Sequence, residues 1–115
     1  MTNITVPLYY TYYQNNSGGS FHNNDQVCHY VVVQALSPSD ADRRAESVGI
    51  YFDGVDNHED CACCGDRWDR SWQAGSAQPA IYGQDPGETE DMFTDEHEVY
   101  CRIYHLDGVV TEVKR

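Results

Sequence analysis

The chain is organised around residues 58–68, which have the sequence His58-Glu-Asp-Cys-Ala-Cys-Cys-Gly-Asp-Arg-Trp68. Here Cys61 and Cys64 are separated by two residues and followed by Gly65, which is the spacing of a zinc knuckle. In such a knuckle two thiolates bind one zinc ion, and the glycine permits the tight turn behind them. A knuckle supplies only half of a tetrahedral site, and the sequence contains no second Cys-x-x-Cys pair. The stretch therefore indicates where a site lies, but not what that site binds.

The missing zinc ligands have several candidates, and the sequence does not choose among them. They are His58, Cys63, Cys28, Cys101 and His97. Cys63 is expected to point away from an ion that Cys61 and Cys64 share. The alternative is that the cysteines are small apolar residues of the core, where free cysteines are common.

A cysteine nucleophile is the least favoured use of these thiols. It needs a neighbouring base. His58 lies near the cluster in sequence, and Cys28 and His29 are adjacent but would point to opposite faces of a strand. The carboxylates of the same stretch are expected to raise a thiol pKa rather than lower it. A thiol-dependent enzyme is therefore a third hypothesis, and we expect a protein that is not an enzyme.

Length and charge limit the possible classes of protein. With 115 residues, the chain is expected to form a single domain over residues 1–115. Nineteen acidic against seven basic residues give a formal net charge of −12, which disfavours direct contact with nucleic acid or anionic membranes. We find no signal peptide and no apolar run long enough for a membrane helix. Five cysteines, three of them crowded together, favour a reducing cytoplasm over a disulfide framework.

Two strands are predicted in the first third of the chain. Residues 4–14 alternate apolar and aromatic side chains on both faces, which predicts a central or covered strand. Residues 15–20 are turn formers, and residues 27–36 contain the apolar run Tyr30-Val-Val-Val33 of a second strand.

A helix is predicted next, with Ser37 as N-cap, Pro38 in its first turn and Gly49 at its end. Ala41, Ala45 and Val48 would form its narrow apolar stripe. Residues 50–52 are predicted as a short buried strand that completes a strand–helix–strand crossover.

The C-terminal residues predict a hairpin around Asp107-Gly108 as a two-residue loop, with Leu106 opposite Val109 and Tyr104 opposite Thr111. Before it, residues 55–95 show little periodicity, and an irregular stretch of that length is usually functional or held by something. A metal or the packing of Trp68 and Trp72 could hold it. The predicted fold class is α+β: a mostly antiparallel sheet of about five strands, one main helix, and a long irregular insertion that is cysteine-rich and acidic.

A ligand site is a further hypothesis. The loop formed by Ser17, Gly18, Gly19 and Ser20 could offer backbone N–H groups to a phosphate. Arg67 could pair with that phosphate, while Trp68 stacks on a base. The alternative is a flexible loop, an ordinary salt bridge and a core tryptophan.

Acidic residues are concentrated in two segments. Residues 53–69 contain six acids and residues 85–98 contain seven. Glu88, Glu90, Asp91 and Asp95 are expected to be solvated, so that they could form an interface for a basic protein. Many such runs are simply solvated surface.

Three blocks of the sequence resemble a family of small, uncharacterised tailed-phage proteins. The blocks are Ser17-Gly-Gly-Ser-Phe21, Gly49-Ile-Tyr-Phe-Asp-Gly54 and Asp60-Cys-Ala-Cys-Cys-Gly-Asp-Arg-Trp68. The resemblance extends over residues 8–68 and implies a virus-encoded accessory protein in the bacterial host cytoplasm, without implying any catalytic residue. By analogy, such proteins often act on host machinery, including defence systems.

These observations lead to a ranked set of hypotheses. The first is a non-enzymatic phage binding protein that counters a host system, by occupying a basic protein surface or by sequestering a small nucleotide. The second is a small zinc-stabilised structural module of a phage, and the thiol enzyme is third. The oligomeric state is left open.

Overall fold

The computed structural model of the protein describes residues 5–71, 73–89, 91 and 93–115. The elements are β1 (Leu8–Tyr13), β2 (Tyr30–Ala35), α1 (Pro38–Ser47), β3 (Val99–Tyr104) and β4 (Val110–Lys114), with short 3-10 helices at Ser17–Gly19 and Pro86–Glu88. The strands form one sheet in the order β1-β2-β3-β4. The outer pairs are antiparallel, whereas β2 and β3 are parallel. The predicted α+β class is confirmed, with a mixed sheet of four strands in place of about five.

Both faces of the sheet are covered, and β1 shows why. Its residues Tyr10 and Tyr12 join the buried cluster under α1, whereas Tyr9 and Tyr13 pack against the cluster on the opposite face. On that opposite face the chain after residue 73 runs along the sheet and buries Ile81 completely. The alternation of aromatic residues thus predicted a covered strand correctly, although β1 lies at the edge of the sheet. Residues 1–4, where the strand was predicted to begin, lie outside the described part of the chain.

The helix begins and ends as predicted. The Ser37 hydroxyl accepts a hydrogen bond from the Asp40 N–H at 3.1 Å, and Pro38 occupies the first turn. Ala41 and Ala45 are fully buried against the sheet. At the other end Gly49 has a φ of +105°, and the N–H of Ile50 donates to the Ala45 carbonyl at 3.1 Å. This is a Schellman ending, for which glycine is favoured.

Residues 50–52 do not form the predicted strand. Ile50 and Phe52 are buried, but this stretch is irregular and its side chains pack into the helix-side cluster. The parallel partner of β2 is β3, much later in the chain, with Tyr30 opposite Cys101. The predicted strand–helix–strand crossover is therefore wrong, and the real crossover includes α1 together with the whole irregular insertion.

The C-terminal hairpin exists, but its predicted register was wrong by one residue. Tyr104 pairs with Val110, and the His105 N–H donates to the Val109 carbonyl at 2.9 Å. The loop therefore has three residues and ends at Gly108, whose φ is +91°. Three-residue hairpin loops require a left-handed residue at that place, so Gly108 serves this longer loop.

In the part of the chain that the structure describes, no helix could cross a membrane. The longest, α1, has ten residues, against about 20 needed to span a bilayer.

Candidate functional site

The irregular loop over residues 51–68 is built around the buried side chain of Arg67, which is 5% exposed. Its guanidinium donates hydrogen bonds to the Tyr51 hydroxyl at 3.1 Å, the Gln14 side-chain carbonyl at 3.0 Å, and the backbone carbonyls of Ser17 and Ser20 at 2.7 Å each. These acceptors belong to three different parts of the chain. Arg67 therefore fastens the irregular loop to the end of β1 and to the turn that follows β1.

Asp60 provides the opposite charge. Its carboxylate lies 3.8 Å from Arg67 Nε and accepts hydrogen bonds from the Tyr51 hydroxyl at 2.6 Å and the Arg67 backbone N–H at 2.7 Å. Gly54 lies against this carboxylate so closely that a Cβ added there would be 1.9 Å from an Asp60 oxygen. The neighbouring Trp68 is 1% exposed and belongs to the helix-side core. Polar bonds and tryptophan packing therefore hold the loop in place, while Trp72 lies outside the described residues.

Of the residues predicted to bind a nucleotide, Arg67 meets Ser17 and Ser20, but as hydrogen-bond partners within the protein. The carbonyls of Ser17 and Ser20 accept from Arg67, and the Ser17 hydroxyl accepts from the Cys61 N–H at 3.1 Å. Gly18, Gly19 and Ser20 are exposed. Because the Arg67 donors face protein acceptors and Trp68 offers no exposed ring, the structure gives both side chains structural roles.

Next to this network, residues 61–64 form what we call the trithiol turn. The Sγ atoms of Cys61, Cys63 and Cys64 all lie within 4.8 Å of one another. The Cys61–Cys63 distance is 2.7 Å and the Cys63–Cys64 distance is 3.8 Å. The Cys61 carbonyl accepts from the N–H groups of Cys64 and Gly65 at 3.1 and 3.0 Å, which closes the turn. The expectation that Cys63 points away from the other two thiols was wrong.

The three thiols are chemically unequal. Hydrogen bonds from the Cys63 thiol and from the backbone N–H groups of Cys63 and Cys64 lower the pKa of Cys61 to about 7. The pKa of Cys63 is raised to about 11, because its thiol bonds to Cys61 and Cys64. The carboxylates of the same stretch were expected to raise the pKa of Cys61, but these local donors lower it instead. The turn can thus present a thiolate at neutral pH, and its three sulfurs could hold a metal ion together.

The other predicted ligands lie elsewhere. Cys28, just before β2, and Cys101, in β3, are fully buried, and burial raises the pKa of both thiols, that of Cys28 to about 12. His58 and His97 are exposed, each with a positive φ. Among the described residues, the trithiol turn is the one group of three or more His, Cys, Asp or Glu side chains whose ligand atoms cluster within 4.8 Å. Cys28 and Cys101 are therefore core residues.

A second candidate site is a cleft of about 630 Å³, which we call the aromatic cleft. It is lined by Asn16, Gly19, Ser20, Phe21, Asn23, His29, Phe93, Thr94, Asp95 and Glu98. The ring of Phe21 lies 4.5 Å from that of His29 and 5.2 Å from that of Phe93. Phe93 is 67% exposed, so an apolar ring stands beside the exposed carboxylates of Asp95 and Glu98.

The cleft wall is fixed by Asp91, which was expected to be a solvated interface residue and is instead buried. Its carboxylate lies 3.1 Å from His29 Nδ1 and accepts from the Phe93 N–H at 2.9 Å and from the Thr94 hydroxyl. Burial alone would raise the pKa of Asp91, but these hydrogen bonds outweigh it and the pKa is lowered. Of the other predicted interface residues, Glu88 and Asp95 are exposed, and Glu90 lies outside the described residues.

Sequence reasoning missed seven of the ten residues that line the cleft, among them Phe21, His29, Phe93 and Glu98. The only indication in the sequence was that the block Ser17-Gly-Gly-Ser-Phe21, one of the three that resemble the phage family, ends at Phe21. Asp91 lies 62 residues from its partner His29, so no local pattern could connect them.

Comparisons with known proteins give a family but no described relative. No curated protein and no solved structure matches the chain. One family profile matches residues 7–114, which is nearly the whole sequence. The chain therefore belongs to the family described as Domain of unknown function (DUF7296).

Proposed function

We propose that the protein is a non-enzymatic binding protein whose working surface is the aromatic cleft with its acidic rim, Asp95 and Glu98. Its occupant is a basic side chain, arginine or lysine, on the surface of a partner protein. The observation that carries this proposal is the exposed ring of Phe93 beside two exposed carboxylates. Aromatic faces attract cations, and carboxylates supply the complementary charge.

A basic protein surface fits the cleft better than a small nucleotide does. The nucleotide hypothesis depended on Arg67 and Trp68, which are both buried in the fold. The formal net charge of −12 also opposes the approach of a phosphate. For the same reason, direct binding to nucleic acid is not part of the proposal.

The biological setting is proposed from the sequence blocks. In that setting the chain is a phage accessory protein in the bacterial cytoplasm, and it counters a host system, such as a defence system, by occupying a basic surface of one of its proteins. An acidic surface would speed association with such a partner and would make binding sensitive to salt.

The test uses an arginine-rich peptide of defined sequence as the probe, with random duplex DNA as the negative probe. Asp95→Asn with Glu98→Gln should weaken peptide binding about tenfold or more, because the two rim charges are lost. The matched control is Asp56→Asn with Glu59→Gln, which removes the same charge from exposed positions of the other acidic segment. The control should bind nearly as well as the wild type.

Two results would contradict the proposal. Equal loss of peptide binding in both double variants would mean that only overall charge matters. Binding to duplex DNA at physiological salt would show that nucleic acid was wrongly excluded as a partner. Phe93→Ala gives an independent reading, since it removes the ring without changing the charge and should also weaken peptide binding.

A zinc-stabilised module is the second candidate, and the three clustered thiols favour it. If zinc held the irregular loop in place, a chelator should lower the melting temperature, because metal binding would contribute folding free energy. The Arg67 network already fastens that loop with protein groups, so we rank this candidate below the binding protein. A thiol enzyme ranks third, since the clustered groups of the trithiol turn include no histidine or carboxylate base among the described residues.

A further inference from the structure

We infer that the trithiol turn binds one soft, thiophilic metal ion through all three of its cysteines, with the fourth coordination position open. This site is separate from the aromatic cleft and goes beyond the proposed function. It also differs from the closed structural zinc site that the Cys61–Cys64 spacing alone suggests.

The distances between the three sulfur atoms are the first observation that supports a shared ion. Sulfurs that share one ion at a metal–sulfur distance of about 2.3 Å lie about 3.7–4.0 Å apart in tetrahedral or trigonal geometry. The Cys63–Cys64 distance of 3.8 Å already has this value. The Cys61–Cys63 pair, at 2.7 Å, must open by about 1 Å, which a small rotation of the exposed Cys63 side chain provides.

The hydrogen bonds that fix the backbone of the turn are the second observation. The N–H groups of Cys64 and Gly65 donate to the Cys61 carbonyl at 3.1 and 3.0 Å, and these bonds hold the three cysteines on one tight turn. The turn is also fixed from outside, since the Asn15 side-chain amide donates to the Cys64 carbonyl at 2.8 Å and the Cys61 N–H donates to the Ser17 hydroxyl. The ligands are therefore preorganised, and the ion is not needed to form the turn.

Exposure and ligand number indicate the class of ion. Structural zinc sites are closed, with four protein ligands, whereas Cys63 and Cys64 are exposed and no fourth His, Cys, Asp or Glu joins the cluster among the described side chains. Thiolate ligands select soft ions such as Cu(I), which accepts fewer ligands than zinc does. Three thiolates are therefore enough for a soft ion of low coordination number. Zinc would need a water as its fourth ligand.

The experiment titrates the reduced protein with Cu(I), under anaerobic conditions and against a coloured competing chelator, and counts bound ions by native mass spectrometry. We expect one Cu(I) per chain, with zinc at the same concentration failing to displace it. Cys61→Ser, Cys63→Ser and Cys64→Ser should each weaken binding about tenfold or more. The control His58→Asn lies in the same loop and keeps a side chain that tolerates its left-handed backbone, so it should bind like the wild type.

A second measurement uses the unmodified protein, so it does not depend on how the variants fold. Alkylation of the native protein should modify three of the five thiols, because Cys28 and Cys101 are buried, and Cu(I) should protect those three. Normal binding by Cys63→Ser would overturn the three-thiolate site in favour of a two-thiol knuckle. Absence of binding, a loss of binding in His58→Asn, or a large fall in melting temperature on chelation would also overturn it.

Discussion

Two irregular regions of this protein, residues 51–68 and 85–98, are both acidic, yet the buried side chain that makes most of the contacts is a cation in the first and an anion in the second. In the first, the Arg67 cation gathers carbonyl and carboxylate oxygens. In the second, the Asp91 carboxylate gathers N–H and O–H donors and the His29 ring. The contrast teaches that acidic composition does not assign a role. What each region can bind depends on the groups that its buried ion leaves exposed: thiols in one, carboxylates and an aromatic ring in the other.

The largest expected effect comes from removing the buried cation. Arg67→Met should lower the free energy of unfolding by about 3–5 kcal/mol, since it leaves Asp60 and several carbonyls unpaired inside the protein. Urea denaturation measures this value. Arg70 offers the matched control, because it also bonds a carboxylate, Asp53, at 3.0 and 2.7 Å but is 57% exposed. Arg70→Met should cost far less than Arg67→Met because its ion pair is screened by solvent, and equal losses would show that Arg67 is not the centre of its region.

The next effect tests how tightly the first region is packed. Gly54→Ala places a methyl group against the Asp60 carboxylate, which is held by Tyr51 and Arg67 and cannot simply rotate away. We expect a loss on the order of 2 kcal/mol in thermal or urea unfolding. In the second region, Gly87→Ala meets only the exposed side chain of Asp85, at 3.2 Å, and should cost much less. If Gly54→Ala left the free energy of unfolding unchanged, the loop would be able to rearrange more easily than its contacts indicate.

The buried anion should have a smaller effect that depends on pH. Asp91→Asn should cost about 1–2 kcal/mol near pH 7, because it weakens the charged hydrogen bonds to Thr94 and Phe93. Since folding lowers the pKa of Asp91, its contribution is present above its unfolded pKa, about 3.9, and is lost as the pH falls through the lower folded value. The difference between wild type and variant should therefore shrink on acidification. Denaturation at about pH 7 and about pH 3 measures it, and a difference that grew in acid would contradict this assignment.

The smallest effect on stability should come from the exposed acids of the same region. Glu88→Gln, Asp95→Asn and Glu98→Gln together should change the free energy of unfolding by less than about 0.5 kcal/mol, because all three side chains are exposed. The comparison with Asp91→Asn separates the carboxylate that builds the cleft wall from those available to a partner. A large loss of stability in the triple variant would mean that the exposed carboxylates are also structural, like Asp91.

Local features of the fold were predictable from the sequence, whereas long-range ones were not. The caps at Ser37 and Gly49 were found because helix ends depend on adjacent residues. Residues 50–52 were misassigned because a short apolar run looks the same in a strand and in a buried irregular segment. The hairpin register was missed because Asp107-Gly108 suits both two- and three-residue loops.

The same division applies to the sites. The closeness of Cys61 and Cys64 followed from their spacing, but the direction of Cys63 depends on backbone angles that spacing does not give. The role of Arg67 was not visible, because its acceptors Gln14 and Ser17 lie about 50 residues away in sequence. His29 and Asp91 are separated further still.

The parallel pairing at the centre of the sheet also has a consequence for biosynthesis. Tyr30 pairs with Cys101, so the two central strands are separated by more than half of the chain. The antiparallel pair β1 and β2, with α1 packed on it, can form as soon as those residues leave the ribosome. The inner edge of β2, however, has no partner until β3 has been translated, and contacts this distant in sequence slow folding. The sheet is therefore completed only after β3 and β4 have been translated, and until then β2 presents an open apolar edge on which nascent chains could pair with one another.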